Sequence, residues 1–168
     1  MQGKTHIVGG LAAGLLTAGY AASYDPTLAP TDAAGLAVCL CASVVGSLAP
    51  DIDLHASKAG HAAGAMSWVI QLLFGHRTLF HSPLLVLILY VALNQLFPAY
   101  HTYIIYFLVG MISHLVLDMC NKKGIPLLYP LPKRFHIASI KTGSAGESVV
   151  ALILLCSSVL LLVYQIFI

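Results

Sequence analysis

The chain has 168 residues, enough for one domain of ordinary size; 59% are hydrophobic and 8% charged, against about 25% charged in a typical soluble domain. That composition cannot coat a water-facing surface, and it points to a bilayer. The formal charge of +2 comes without any basic run, which excludes nucleic acid as a partner.

The first apolar run, Ile7–Ala22, follows Lys4 and His6. It has the outline of a signal peptide, with small residues at Ala18, Ala21 and Ala22 for cleavage. The glycines within it and the His at its edge fit a retained helix better. Further runs follow at Ala33–Ala49, Pro83–Leu96, Tyr103–Leu117 and Val149–Ile168. Only the last has the roughly 20 residues that cross a full hydrocarbon core, so the others extend polar ends into the interface or thin the bilayer. The stretch Ala62–Phe74 is too short to span and reads as an interfacial or re-entrant helix. The expected fold is all-α: a polytopic bundle of five spans in a single membrane-embedded domain over 1–168.

Orientation follows from the basic residues. Five crossings put the N-terminus, the 50–82 loop and the 118–148 loop on one side. Those segments hold Lys4, Lys58, Arg77, Lys122, Lys123, Lys133, Arg134 and Lys141, all eight Lys and Arg of the chain. The positive-inside rule places that side in the cytoplasm, with the N-terminus in and the C-terminus out.

Each crossing also brings an acid or an imidazole to this face. His6 opens the first span, Asp51 and Asp53 follow the second, His76, Arg77 and His81 precede the third, His114 and Asp118 close the fourth, and Glu147 opens the fifth. His114 and Asp118 are four apart, on one helix face with Cβ atoms about 5–6 Å apart, a spacing that suits two ligands of one metal. The plainer alternative is a helix end where His114 caps carbonyls and Asp118 faces water. An Asp at the end of an apolar helix is costly unless paired, which favours a functional role.

Pro50 ends the second helix. If Asp51-Ile52-Asp53 is extended, both carboxylates share a side and need a cation between them; a solvated loop start is the alternative. His76 and His81, five apart, cannot both face inward from one regular helix, so Gly75–Ser82 reads as a turn around the site with His81 as the ligand. His76 is then a proton-transfer group, or else a residue that supports the ligands from behind. Arg77 suits phosphate oxygens, or else serves as an orienting charge at the headgroups. Glu147 sits at a helix N-terminus, where a carboxylate is favoured.

The expected metal ligands are therefore His6, Asp51, Asp53, His81, His114 and Asp118, with Glu147, His76 and Arg77 as catalytic groups. Mixed nitrogen and oxygen ligands suit zinc first, then manganese or iron, and four acids leave room for two ions. Such an ion acidifies water and polarises a phosphoryl group. The cysteines, Cys39, Cys41, Cys120 and Cys156, form no Cys-x-x-Cys pair and no disulfide framework.

Four motifs carry a resemblance to a known family: Leu48-Ala49-Pro50-Asp51-Ile52-Asp53, Gly75-His76-Arg77-Thr78-Leu79-Phe80-His81-Ser82, Ser113-His114-Leu115-Val116-Leu117-Asp118 and Gly124-Ile125-Pro126-Leu127-Leu128-Tyr129-Pro130. From His6 through Glu147 the chain resembles the YdjM-like family, bacterial inner-membrane proteins described as metal-dependent hydrolases. The resemblance implies an inner-membrane location and functional roles for His6, Asp51, Asp53, His76, Arg77, His81, His114, Asp118 and Glu147. Thr78 stands where Gly is common in the family. One member is also described as binding a repressor of the DNA-damage response. The His-x-x-x-Asp helix is similar to one in zinc-dependent phospholipase C, which cleaves phosphoesters.

The expected function is hydrolysis of a phosphoester on a membrane-presented substrate, a phospholipid or lipid-linked phosphate. Membrane lipids are the expected surroundings, and no protein partner is specified. The rival readings are a metal-linked transporter, which should hold its polar residues near mid-bilayer in broken helices, and a non-catalytic scaffold with a cytoplasmic partner at the 119–146 loop. The basic residues of that loop suit anionic headgroups equally well.

Overall fold

The computed structural model describes residues 1–74, 79–131 and 133–167. Among them run seven α-helices: α1 Gly3–Tyr24, α2 Ala33–Leu48, α3 Lys58–Ala63, α4 Ala65–Phe74, α5 Pro83–Leu96, α6 His101–Met119 and α7 Ala145–Phe167. Short polar side chains begin several of them. Asp32 accepts from Gly35 N at 2.7 Å to start α2, Ser57 accepts from Gly60 N at 2.8 Å to start α3, and Ser82 accepts from Leu84 N at 3.2 Å to start α5. Each cap satisfies a backbone N–H that the helix leaves open.

The all-helical expectation holds, with one refinement of span length. Gly3–Tyr24, Ala33–Asp53, Pro98–Met119 and Ala145–Gln165 are long and apolar enough to cross a membrane. They outrun the apolar stretches of the sequence because helical turns continue through the polar ends. The fifth apolar helix, α5, has 14 residues and is about 21 Å long, short of a hydrocarbon core of about 30 Å. Large apolar side chains cover the outside: Leu152, Ile153 and Leu160 on α7 are 59%, 62% and 70% exposed. In water this would be an aggregating surface; against lipid it is the expected perimeter.

Small residues bring the inner helices together. An added Cβ at Gly46 would strike the backbone carbonyl of Phe107, and one at Gly110 would strike that of Ser43, so α2 and α6 touch backbone to backbone. Gly10 lies against Ser47, and Ser43 Oγ donates to Gly10 O at 2.8 Å. Lipid gives no hydrophobic drive between helices, so close approach and hydrogen bonds hold them.

Helices α2 and α6 run in the same direction: Cys39 packs on Tyr106 toward one end, and Ser47 O meets His114 toward the other. Helices α1 and α7 are likewise parallel, joined at Thr5 and Glu147 near their starts and at Leu15 and Gln165 further on. The α1–α2 connection meets the start of α6 at the end of the bundle away from His114, where Thr102 Oγ1 donates to Thr27 O at 3.2 Å.

At the opposite end the 120–144 segment folds back on α6. Ile125 and Phe135 exchange backbone hydrogen bonds of 3.0 and 2.9 Å, and Ile140 N donates to Cys120 O at 3.1 Å. Gly124 sits at φ +60°, a conformation that costs a side-chain-bearing residue. Helix α4 lies on this side too, contacting the turn after α2. It exposes Met66, Trp68, Val69 and Leu72 and buries Ser67.

Candidate metal centre

The local structure around Asp51 is not the extended segment that would put both carboxylates on one side. Ala49–Asp53 is a 3-10 turn continuing from α2, with Pro50 near its start. Proline fits there because its fixed φ suits a first helical turn and its missing N–H is not needed. At three residues per turn, side chains two apart point in different directions. Asp51 and Asp53 accordingly reach opposite sides of one ring, that of His81. Asp53 Oδ2 lies 3.2 Å from His81 Nδ1, and Asp51 Oδ1 lies 3.8 Å from His81 Nε2.

His81 ends a 3-10 turn at Leu79–His81, ahead of α5. His114 comes from α6, and its Nδ1 donates to Ser47 O at 2.7 Å. The two Nε2 atoms face each other at 3.3 Å. A carbonyl and a carboxylate both accept, so each Nδ1 carries a proton and each Nε2 is the nitrogen turned toward the centre. Two imidazole nitrogens turned toward each other at this distance suit the sharing of one cation.

Two carboxylates close around that point. Asp118 Oδ2 is 3.7 Å from His81 Nε2 and 3.9 Å from His114 Nε2, while Asp51 Oδ1 is 3.8 Å from His114 Nε2. A tetrahedral ion with bonds of about 2.0–2.2 Å separates its ligand atoms by about 3.3–3.6 Å. The observed separations lie within a few tenths of an ångström of that range.

His6 completes the cluster from α1. Its ring stacks on His114 with centroids 3.7 Å apart and planes at 14°, and its Nε2 is 3.5 Å from Asp118 Oδ1. The residue is fully buried, yet neither ring nitrogen has a hydrogen-bond partner among the described residues. An unsatisfied buried polar group costs about 1–3 kcal/mol, so such a ring fits a site completed by a bound ion. Asp118 thus faces two ways, with Oδ2 toward His81 and His114 and Oδ1 toward His6 and the Met1 amine, 2.5 Å away. Two overlapping triads result, His6–Asp51–His114 and His81–His114–Asp118, whose ligand atoms lie within 4.8 Å of one another. These buried His/Asp groups could hold a metal.

Of the residues expected at the site, six come together: His6, Asp51, Asp53, His81, His114 and Asp118. His76 and Arg77 lie outside the described residues. Glu147 is placed in a network of its own. Its Oε1 accepts from Thr5 Oγ1 at 2.9 Å and from Gln2 N, and its Oε2 accepts from Gly143 N at 2.6 Å. Both oxygens are committed to fastening the start of α1 to the start of α7. Sequence reasoning missed Ser47, because a backbone carbonyl that orients a histidine leaves no residue-type signal.

Parallel apolar helices enclosing a His/carboxylate cluster define a polytopic membrane protein with a candidate metal centre. The chain belongs to the YdjM inner membrane protein family, which matches residues 1–168, and it is a multi-pass protein of the inner membrane. It is similar to the uncharacterized protein YvsG of Bacillus subtilis, 37% identical over 151 residues, covering 89% of this chain and 87% of that one. No solved structure matches it.

Proposed function

We propose that this protein is a membrane-embedded, metal-dependent hydrolase that cleaves a phosphoester on a membrane-presented substrate, a phospholipid or a lipid-linked phosphate. The observation that carries this reading is the facing pair of Nε2 atoms on His81 and His114, ringed by Asp51 and Asp118. His81, His114 and Asp118, with Asp51 beside them, would hold the ion, and the overlapping set of His6, Asp51 and His114 leaves room for another. Zinc suits the ligand set best, with manganese or iron as alternatives. The ion would supply Lewis acidity and a water acidified toward neutral pH.

The chain's own groups do the rest. Asp53 holds the His81 ring through its Nδ1–H, and the Ser47 carbonyl holds His114, which fixes tautomer and orientation as carboxylate and carbonyl partners do at metal-bound histidines. Arg77 is assigned to phosphate oxygens and His76 to proton transfer. Glu147 secures the helix that carries His6.

The membrane setting agrees with an amphiphilic substrate. An apolar cleft of about 510 Å³ between α5 and α6 is lined by residues including Pro83, Leu87, Ile112, Leu115, Val116 and Met119, of which Leu115 and Met119 are next in sequence to His114 and Asp118. The single domain would cross five times, with α5 as the short crossing, since the start of α6 meets the α1–α2 connection at one end. All eight Lys and Arg then flank the cluster end, which the positive-inside rule assigns to the cytoplasm. Helix α4 would lie in the interface on that side. A transporter should place its polar groups at mid-depth; here they sit at the ends of α2 and α6.

Metal content of the purified protein is the first test. His114→Ala and Asp118→Ala should each remove bound metal and, with it, hydrolysis of a phosphodiester presented in mixed micelles. Unchanged metal content in both variants would remove the basis for the proposal.

A further inference from the structure

One cluster group is open to its surroundings. The side chains of His81, His114, Asp53, His6 and Asp118 are at most 1% exposed, whereas that of Asp51 is 17% exposed. Asp51 faces a cavity of about 350 Å³ between the first turn of α1 and the segment after α2, lined by Gly3, Lys4, Leu48, Asp51, Leu54 and Ala59 among others. Among the described residues, the charged side chains on its lining are Lys4 and Asp51, and Met1, whose amine pairs with Asp118, lines it as well. Gly3 is on the lining, and nothing lies within 4 Å of where its Cβ would stand, so a side chain can be added there without a clash.

We infer that this cavity is the mouth of the metal centre and that Lys4 at its rim takes the anionic group of the incoming substrate. The inference rests on the hydrolase reading and adds to it a route and a recognition residue. An anion there would pass from a flexible ammonium, a mobile point charge suited to phosphate, to the edge of the centre at Asp51. The walls at Leu48, Leu54 and Ala59 would accommodate the apolar part of an amphiphile.

Two measurements test it on the full-length protein in detergent. The first needs neither metal nor turnover. With the native cysteines replaced, Ala59→Cys is labelled with an anionic and a cationic methanethiosulfonate. The anionic reagent should react several-fold faster, and Lys4→Gln should abolish that preference while Lys4→Arg keeps it. The second is binding of inorganic phosphate to zinc-loaded protein. Lys4→Gln should weaken it about tenfold, the loss of one charge-assisted contact. Gly3→Leu, which fills the mouth, should suppress it with zinc content unchanged. Equal labelling by both reagents in the parent, or phosphate binding unaltered in both Lys4→Gln and Gly3→Leu, would overturn the inference. Charge-selective labelling in a protein that hydrolyses no phosphoester would instead retain the mouth and defeat the hydrolase reading.

Discussion

His81 and His114 meet Nε2 to Nε2 at 3.3 Å, and each ring is fixed from behind, His81 by Asp53 and His114 by the Ser47 carbonyl. Neither ring can turn its Nε2 away without giving up a buried hydrogen bond. Folding therefore brings two imidazole nitrogens and two carboxylates to within ligand distance of a shared point.

Metal removal should then destabilise the fold. A ligand that binds only the folded state adds about 2.7 kcal/mol when present at a hundred times its Kd. Chelation should lower the thermal midpoint in detergent by several degrees, and added zinc should restore it. A midpoint indifferent to chelator and zinc would count against a metal centre.

Asp53→Asn should leave the nearest ligand atoms in place while weakening the carboxylate that orients His81. Losing such a partner costs about 10–100-fold in metal affinity. Competition with a zinc-binding dye would register the drop, and wild-type affinity in this variant would show that Asp53 has no orienting role.

Glu147→Gln separates two roles for one carboxylate. Fastening α1 to α7 through Gln2, Thr5 and Gly143 predicts a stability loss of about 1–3 kcal/mol, with bound metal and turnover per folded molecule retained. Turnover abolished at unchanged stability would return Glu147 to proton transfer.

Gly110→Ala should act at a distance. The added methyl meets the Ser43 carbonyl across the α2–α6 contact, and overpacking of this kind costs about 1–3 kcal/mol. Pushing the helices apart also draws Ser47 away from His114, so thermal stability and metal content should fall together. Gly19→Ala, on the same small-residue pattern but with only the Gln165 side chain nearby, should change neither.

The proposed five crossings predict opposite accessibility for two sites. In a cysteine-free background, Asn94→Cys should react with an impermeant maleimide applied outside spheroplasts, and Lys122→Cys only after permeabilisation. Labelling of both from one side would remove α5 as a crossing.

The sequence by itself determined the solvent and the cast of residues. A chain with so little charge has only a bilayer to fold in, and its apolar runs mark the helices because each satisfies its own backbone. His6, Asp51, Asp53, His81, His114 and Asp118 could be picked out because ionisable groups at the ends of apolar runs are too costly to be incidental. The i, i+4 pair on α6 was legible for the same local reason.

What only the tertiary structure decided was how those groups face one another. Asp51 and Asp53 read as a pair sharing one side, yet the turn after α2 sends them to opposite nitrogens of His81. Glu147 read as a member of the cluster, yet its oxygens close on the first turn of α1. His114 takes its orientation from the carbonyl of Ser47, 67 positions away in the chain. Its approach depends on Gly46 and Gly110 letting two backbones touch. Spacing along a chain reports directions within one helix or turn. The facing of ring nitrogens from separate elements is set by how closely those elements pack.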